Sequence, residues 1–250
     1  MRRRFFVEKF EGDSARLGGD AAEHLGRVLR AEPGQLYELS DGARVWLGRV
    51  ERVTLSKQGK SHIEFALVEP LRAGEPQLRI ELILSLVKFD RFEWCLEKAT
   101  ELGANTVVPL SAARSDKALI AAGAKRHARW ERILLESAQQ SRRLRPPDLA
   151  ASVSPQKAFA ASSAAVKILL SERQDAPSLR EVLAPGGHQS FGSGLNTVAL
   201  AIGPEGGWTD EEIACGCAAG FLEASLGENI LRTETAVLAA LAILNFAFAA

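Results

Sequence analysis

The residues of this chain best suited to chemistry lie close together near its C-terminal end. They are Ile202-Gly203-Pro204-Glu205-Gly206-Gly207-Trp208-Thr209 and Leu226-Gly227-Glu228-Asn229-Ile230-Leu231-Arg232-Thr233-Glu234-Thr235-Ala236. Each segment opens as a short apolar run, stops at glycine and leads into a helix. Gly203, Gly206 and Gly207 are expected to let the backbone adopt positive φ and approach a ligand with no Cβ in the way. Thr209 and Glu212 have the S/T-x-x-E spacing of a capping box, which marks a helix start. One glycine turn is weak evidence for a site. Two in succession describe neighbouring strand-to-helix loops at the edge of one pocket, where open α/β sheets take their ligands. Arg232, Glu205 and Glu234 are the charged candidates. A guanidinium stays charged and stabilises an oxygen that gains negative charge, and a carboxylate accepts a proton. Arg232 equally fits a structural cation bonding loop carbonyls or pairing with Glu234. Glu205 equally fits a brace that holds its own loop through backbone N–H groups.

The elements that must carry these loops follow from hydrophobic periodicity. Residues 1–72 read as β-rich, with strands over 3–7, 35–39, 45–53 and 62–68, a turn at Ser40-Asp41-Gly42 and one short helix over about 21–29. Val45, Leu47 and Val53 alternate with charged residues, as in a half-buried strand. Two prolines and a glycine within 69–77 place a domain boundary there, giving domains 1–72 and 76–250. Beyond it, strands alternate with helices, which predicts a parallel α/β sheet. The strands are 78–87, 105–110, 165–170, 197–202 and 221–226, and the helices include 89–102, 125–143 and 233–249. Residues 186–196 read as a flexible surface loop. Trp94 and Trp130 sit at helical spacing among apolar neighbours and read as core or interface.

Apolar residues make up 46% and charged residues 25%, the balance of a soluble globular protein. No apolar run approaches the roughly 20 residues of a membrane span. The basic start Arg2-Arg3-Arg4 is followed by only Phe5-Phe6-Val7 before Glu8 and Lys9, too short an apolar run for a leader, so a cleaved leader is not expected. Cys95, Cys215 and Cys217 form no CxxC and the histidines are scattered, so neither a metal site nor a disulfide framework is expected, and a reducing cytoplasm fits. The net charge of zero conceals a basic strip: residues 114–145 carry nine lysines and arginines against three acids, while 146–250 carry five against eleven. Such a strip reads either as a polyanion docking face or as a solvated helix face.

The chain resembles the RsmE-type 16S rRNA uridine-N3 methyltransferases, a branch of the SPOUT (trefoil-knotted) superfamily. The resemblance runs nearly end to end. It is carried by His24-Leu25 through Val28-Leu29-Arg30, by Lys88-Phe89-Asp90-Arg91-Phe92-Glu93-Trp94 with Lys98-Ala99-Thr100-Glu101-Leu102-Gly103, by Glu136-Ser137-Ala138-Gln139-Gln140-Ser141, and by both C-terminal loops. It implies a PUA-like β-barrel ahead of a knotted α/β domain, a homodimer, and S-adenosylmethionine as methyl donor. The implied acceptor is N3 of uridine 1498 in 16S rRNA of the small ribosomal subunit. Carried onto this sequence, the donor is bound by Leu170 and Ser171, by Ile202, Gly203, Pro204, Gly206 and Gly207, and by Leu226, Gly227, Ile230 and Leu231. Backbone hydrogen bonds would read the adenine, and Ile202, Leu226 and Leu231 would supply apolar contact. Gly203 and Gly207 are expected to matter because a side chain would occupy the donor's space. Asn229 stands where many members carry a basic residue, which puts a secondary RNA or substrate contact in doubt.

A base inside a helical stack must be flipped or presented unpaired, and this requires a grip on phosphates. The candidates are Arg2, Arg3 and Arg4, then Arg27 and Arg30, then Arg142 and Arg143. The first three also fit a solvated strand edge. Other readings are a SPOUT enzyme with another RNA target or a ribose 2′-hydroxyl acceptor, and a non-catalytic RNA-binding assembly factor. A third is a nucleotide-phosphate binder, disfavoured by the absence of a P-loop lysine and by Glu205.

Overall fold

The computed structural model describes residues 3–56, 61–74, 77–184 and 196–248. The chain divides into two compact units. The first is Met1–Glu75 together with Glu136–Pro146; the second is Pro76–Leu135 with Pro147–Ala250. The boundary at 69–77 therefore meets a second crossing of the chain, which periodicity does not reveal.

The first unit holds β1 (Arg4–Phe6), β2 (Phe10–Glu11), β3 (Ser14–Gly18), α1 (Gly19–Glu23), β4 (Leu36–Ser40), β5 (Val45–Thr54) and β6 (His62–Leu71). They form one sheet in the order β1-β4-β5-β6-β3-β2, antiparallel except for the β1–β4 pair. The anticipated helix over 21–29 is shorter and less regular: α1 passes into a π-type turn over His24–Val28. Two short strands, β2 and β3, went unseen because Gly12-Asp13 turns the chain after only a few residues. Phe5, Leu17, Leu25, Leu39, Ile63 and Phe65 form the core of this unit. Ser40 Oγ donates to the carbonyl of Leu144 at 2.6 Å, which ties the 136–146 segment into it.

The second unit is a parallel sheet covered on both faces. Its elements are β7 (Leu78–Ser85), α2 (Phe89–Glu101), β8 (Ala104–Leu110), α3 (Lys117–Gly123), α4 (His127–Gln140), β9 (Asp148–Leu149), α5 (Pro155–Ala161), β10 (Val166–Leu170), α6 (Leu179–Val182), β11 (Asn196–Ile202), α7 (Asp210–Ala218), β12 (Leu222–Ala224) and α8 (Thr233–Phe248). Only the first nine residues of α4 belong to this unit. The strand order is β12-β10-β11-β7-β8-β9, all parallel. Successive strand residues point to opposite faces. Leu82, Leu84, Val198 and Leu200 therefore pack with α2 and α8, while Ile83, Ala199 and Ala201 pack with α5 and α7. Burial on both faces explains why these strands read as continuous apolar runs. On α8, Val237, Ala240, Leu241 and Leu244 are fully buried. The two leucines each contribute about 1.5–3 kcal/mol by area.

The glycine-rich segment 186–196 lies outside the described residues except for Asn196, which opens β11. Trp130 is buried against Phe92, while Trp94 is partly exposed.

Candidate active site

Strand register brings the expected loops together. β10 lies between β12 and β11, and the register pairs Leu170 with both Ile202 and Ala224. The three strands thus end level at one edge of the sheet. The residues that follow them border a cavity of about 650 Å³, within the usual range for small-molecule sites. From the first loop it is bordered by Leu170 and Ser171, and from the second by Ile202, Gly203, Pro204, Glu205 and Gly207. The third loop contributes every residue from Leu226 to Thr233, including Gly227, Ile230, Leu231 and Arg232. Gly206 is not on the wall: a Cβ built there would meet Arg114 at 3.3 Å. Asn229 borders the cavity as well.

The glycines work differently from the expectation. Of the three in the second loop, only Gly207 has positive φ, at +71°. Gly227 in the third loop, at +123°, is the other position where a side chain is strained. A Cβ on Gly203 would meet the Trp208 ring at 3.0 Å, and one on Gly207 would meet Glu172 Oε1 at 2.6 Å. Both glycines border the cavity and also have protein neighbours that a side chain would meet. Trp208 is 7% exposed and its Nε1 donates to the carbonyl of Leu170 at 2.8 Å, tying the second loop to the first. Thr209 and Glu212 form the expected capping box. Glu212 also accepts from the Ala113 backbone N–H at 2.8 Å.

Two arginines not among the site residues expected from the sequence complete the wall, although Arg91 lies in the motif 88–94 and Arg114 opens the basic strip. Arg114 donates to the carbonyls of Gly206 and Trp208, both at 3.0 Å. Arg91, in the first turn of α2, donates to Glu205 and lies 3.9 Å from Glu234 Oε1. Their partners are about a hundred residues away in sequence, so only the fold reveals the pairings. Glu234 does not border the cavity, and its Oε2 is buried with no hydrogen-bond partner. The guanidinium of Arg232 is exposed on the wall and has no partner among the described residues, so the pairing with Glu234 is not formed. Burial, with the charge of Glu234 added, pushes the Cys95 thiol up to about 12. It stays protonated and is not a nucleophile. Among the described residues no cluster of His, Cys, Asp and Glu is arranged to hold a metal ion.

Residues 74–245 match the model of an RNA methyltransferase domain family. A ribosomal RNA small subunit methyltransferase E from Synechocystis is 34% identical, over 89% of this chain and 69% of that protein. The chain belongs to this family. A second member, from Bacillus subtilis, is 28% identical over 97% of the chain and 96% of its own length. The ribosomal RNA small subunit methyltransferase E of Neisseria gonorrhoeae, solved bound to S-adenosyl methionine, superposes with a TM-score of 0.83 at 29% identity, over 98% of both chains.

The arginines expected to grip RNA in such a methyltransferase divide sharply. Arg2 lies outside the described residues. Arg3 is exposed. Arg4 is committed to Glu38, with Nε and Nη2 at 3.1 and 2.9 Å from one carboxylate oxygen. Arg142 faces the other oxygen of Glu38 at 3.5 Å. Arg143 is largely desolvated, and that burial with Arg145 beside it lowers its guanidinium to about 10. Arg27 donates to the carbonyl of Ser56 at 3.4 Å but stays half exposed, and Arg30 is exposed in the left-handed region at φ +52°. Several cations of the basic strip are thus engaged with protein groups while still partly exposed. Arg114 braces the second loop, and Arg126 and Arg129 both bind Glu93.

Proposed function

We propose that this protein transfers a methyl group from S-adenosylmethionine to N3 of a uridine in 16S rRNA of the small ribosomal subunit, uridine 1498 being the family target. The observation that carries the reading is the level ending of three parallel strands around one cavity of about 650 Å³, bordered by the loop residues of a methyltransferase family. Leu170, Ile202, Leu226 and Leu231 give that cavity apolar walls for a purine, and the turns at Gly203 and Gly227 on its border offer backbone groups to the purine edge. S-adenosylmethionine supplies an electrophilic methyl group there. The protein's part is positioning and charge stabilisation. The uracil N3–H must be lost. Arg232 is assigned the bond to the O2 or O4 oxygen on which charge accumulates, a reading supported by its exposed position on the cavity wall with no partner among the described residues. Of the two carboxylates raised by the sequence, Glu205 borders the cavity and is assigned the proton, while Glu234 stands behind it.

The sheet of the first unit is assigned as a PUA-like barrel that holds the RNA, with Arg3, Arg27 and Arg30 the exposed ones among the described candidate arginines not committed to Glu38. The second unit is assigned the SPOUT knot, and the protein a cytoplasmic location; no helix among the described residues is long and apolar enough to cross a membrane. A homodimer is supported by α8. Leu238, Ile243 and Phe246 on its outer side are 39%, 38% and 89% exposed, although an apolar helix surface of this kind is normally covered. The deciding experiment incubates the purified protein with labelled S-adenosylmethionine and small subunits lacking the modification, then maps the label. Label at one uridine N3 in 16S rRNA supports the reading. Label on a ribose or on another RNA redirects it, and absence of both label and donor binding favours a non-catalytic assembly factor.

A further inference from the structure

Three segments of the second unit meet at a single guanidinium. Arg91 occupies the first turn of α2, Glu205 lies in the loop after β11, and Glu234 lies in the first turn of α8. Arg91 Nη1 donates to Glu205 Oε1, and its Nε lies 3.9 Å from Glu234 Oε1. The side chains of Arg91 and Glu234 are 26% and 20% exposed, so the cluster is drawn in from solvent without being sealed. Arg91 and Glu205 border the cavity, while Glu234 does not. The other oxygen of Glu234 is buried and unpartnered, so Arg91 is the only cation within ion-pair distance of that carboxylate among the described residues. Ion pairs of this exposure add little to global stability. What a fork of fixed N–H directions does supply is geometry. Arg232 sits one residue before α8, so anchoring the first turn of that helix also sets where its guanidinium begins.

We propose that Arg91 is a positioning residue for methyl transfer, acting through Glu205 and Glu234 to hold the loop after β11 and the start of α8 in one fixed relation. The catalytic consequence rests on the function proposed above; the structural coupling does not. Arg91 touches neither the donor nor the uracil in this scheme. It keeps the Glu205 carboxylate and the Arg232 backbone where the two ends of the reaction need them, and a misplacement of about 1 Å is enough to cost about a hundredfold in rate.

The test compares wild type, Arg91→Ala and Arg91→Lys in the full-length protein. Hydrogen exchange is read first. In Arg91→Ala, backbone amides of 205–208 and of 233–236 are expected to exchange roughly tenfold faster together, as local opening becomes easier. Arg91→Lys, which keeps the charge without the fork, is expected to fall between the two. Wild-type protection in either segment of Arg91→Ala overturns the coupling. Turnover is then measured on small ribosomal subunits at saturating donor, with Glu205→Gln added to each background. Arg91→Ala is expected to lower kcat about 10- to 100-fold with a smaller change in donor Kd. Glu205→Gln should cost less in that background than in wild type, because part of what Arg91 supplies is the placement of that carboxylate. Losses that multiply instead overturn the claim that Arg91 acts through Glu205. Failure of the function reading is distinguishable: wild type then transfers no methyl group, while the exchange result still decides the role of Arg91.

Discussion

At the level of single residues, the cavity wall separates groups that are engaged with the protein from groups left available to a substrate. Arg232 belongs to the second kind, with an exposed guanidinium and no partner among the described residues. Arg232→Ala is expected to lower turnover about 10²- to 10³-fold, the usual cost of one removed transition-state donor, while donor affinity changes far less. Single-turnover rates alongside calorimetric titration check this, and equal loss in both would make Arg232 structural. Gly203 is of the first kind. Its Cβ position lies 3.0 Å from the Trp208 ring, which is itself held by the Leu170 carbonyl. Gly203→Ala therefore has to displace a pinned indole and is expected to cost about 1–3 kcal/mol of stability, with weaker donor binding. An unchanged melting temperature would show that the ring yields freely.

Among the helices, α2 is the piece on which the second unit depends from two sides. Its first turn carries Arg91 toward the cavity. Glu93, two residues on, accepts from Arg126 at 3.0 Å and from Arg129 at 2.8 and 2.7 Å, and Arg126 lies over the Phe89 ring at 4.1 Å. The hydrogen bond from Arg129, followed by that from Arg126, outweighs partial burial and holds the Glu93 carboxyl below its ordinary value of 4.5. A depressed carboxylate pKa means the folded state binds the proton less readily than the unfolded state. The stabilisation is therefore present above the ordinary value and is lost as pH falls through the lower folded-state value. Glu93→Gln is expected to cost about 1 kcal/mol near neutrality, small because both arginines are well exposed and screened. It should also flatten the fall in stability on the acid side of pH 4.5. Denaturant titrations from pH 7 down to pH 3 would check both. A mutant curve parallel to wild type would mean the cluster contributes nothing to folding.

On the scale of the whole molecule, α8 is the element whose surroundings are incomplete. It is apolar on the face that packs in the core and also on the face carrying Leu238, Ile243 and Phe246. A second copy covering that face is the proposed remedy. Phe246→Glu is expected to halve the mass measured by sedimentation or light scattering, with the fold retained; an unchanged mass would place the dimer contact elsewhere or leave the protein monomeric.

How much of this was readable before folding depends on distance along the chain. The strand-to-helix loops at Gly203 and Gly227 and the capping box at Thr209 are local, because turn, cap and apolar period are written within a few residues of one another. So is the parallel α/β rhythm of the second unit, whose strands are buried on both faces. The roles of the arginines were not readable. Arg4, Arg91, Arg114, Arg126 and Arg142 look alike in a composition count, yet each meets a partner at least 33 residues away. The basic strip stayed open between a docking face and a solvated helix face because charge is visible in a sequence and ion pairing is not. The positive φ expected of the glycines is found at Gly207 and not at Gly203, where a tryptophan five residues on turns back over the Cβ position. Local backbone preference and periodicity are encoded over one or two turns of chain. Which charges cancel, and which one is left facing the cavity, is decided when strand register brings distant segments to the same edge.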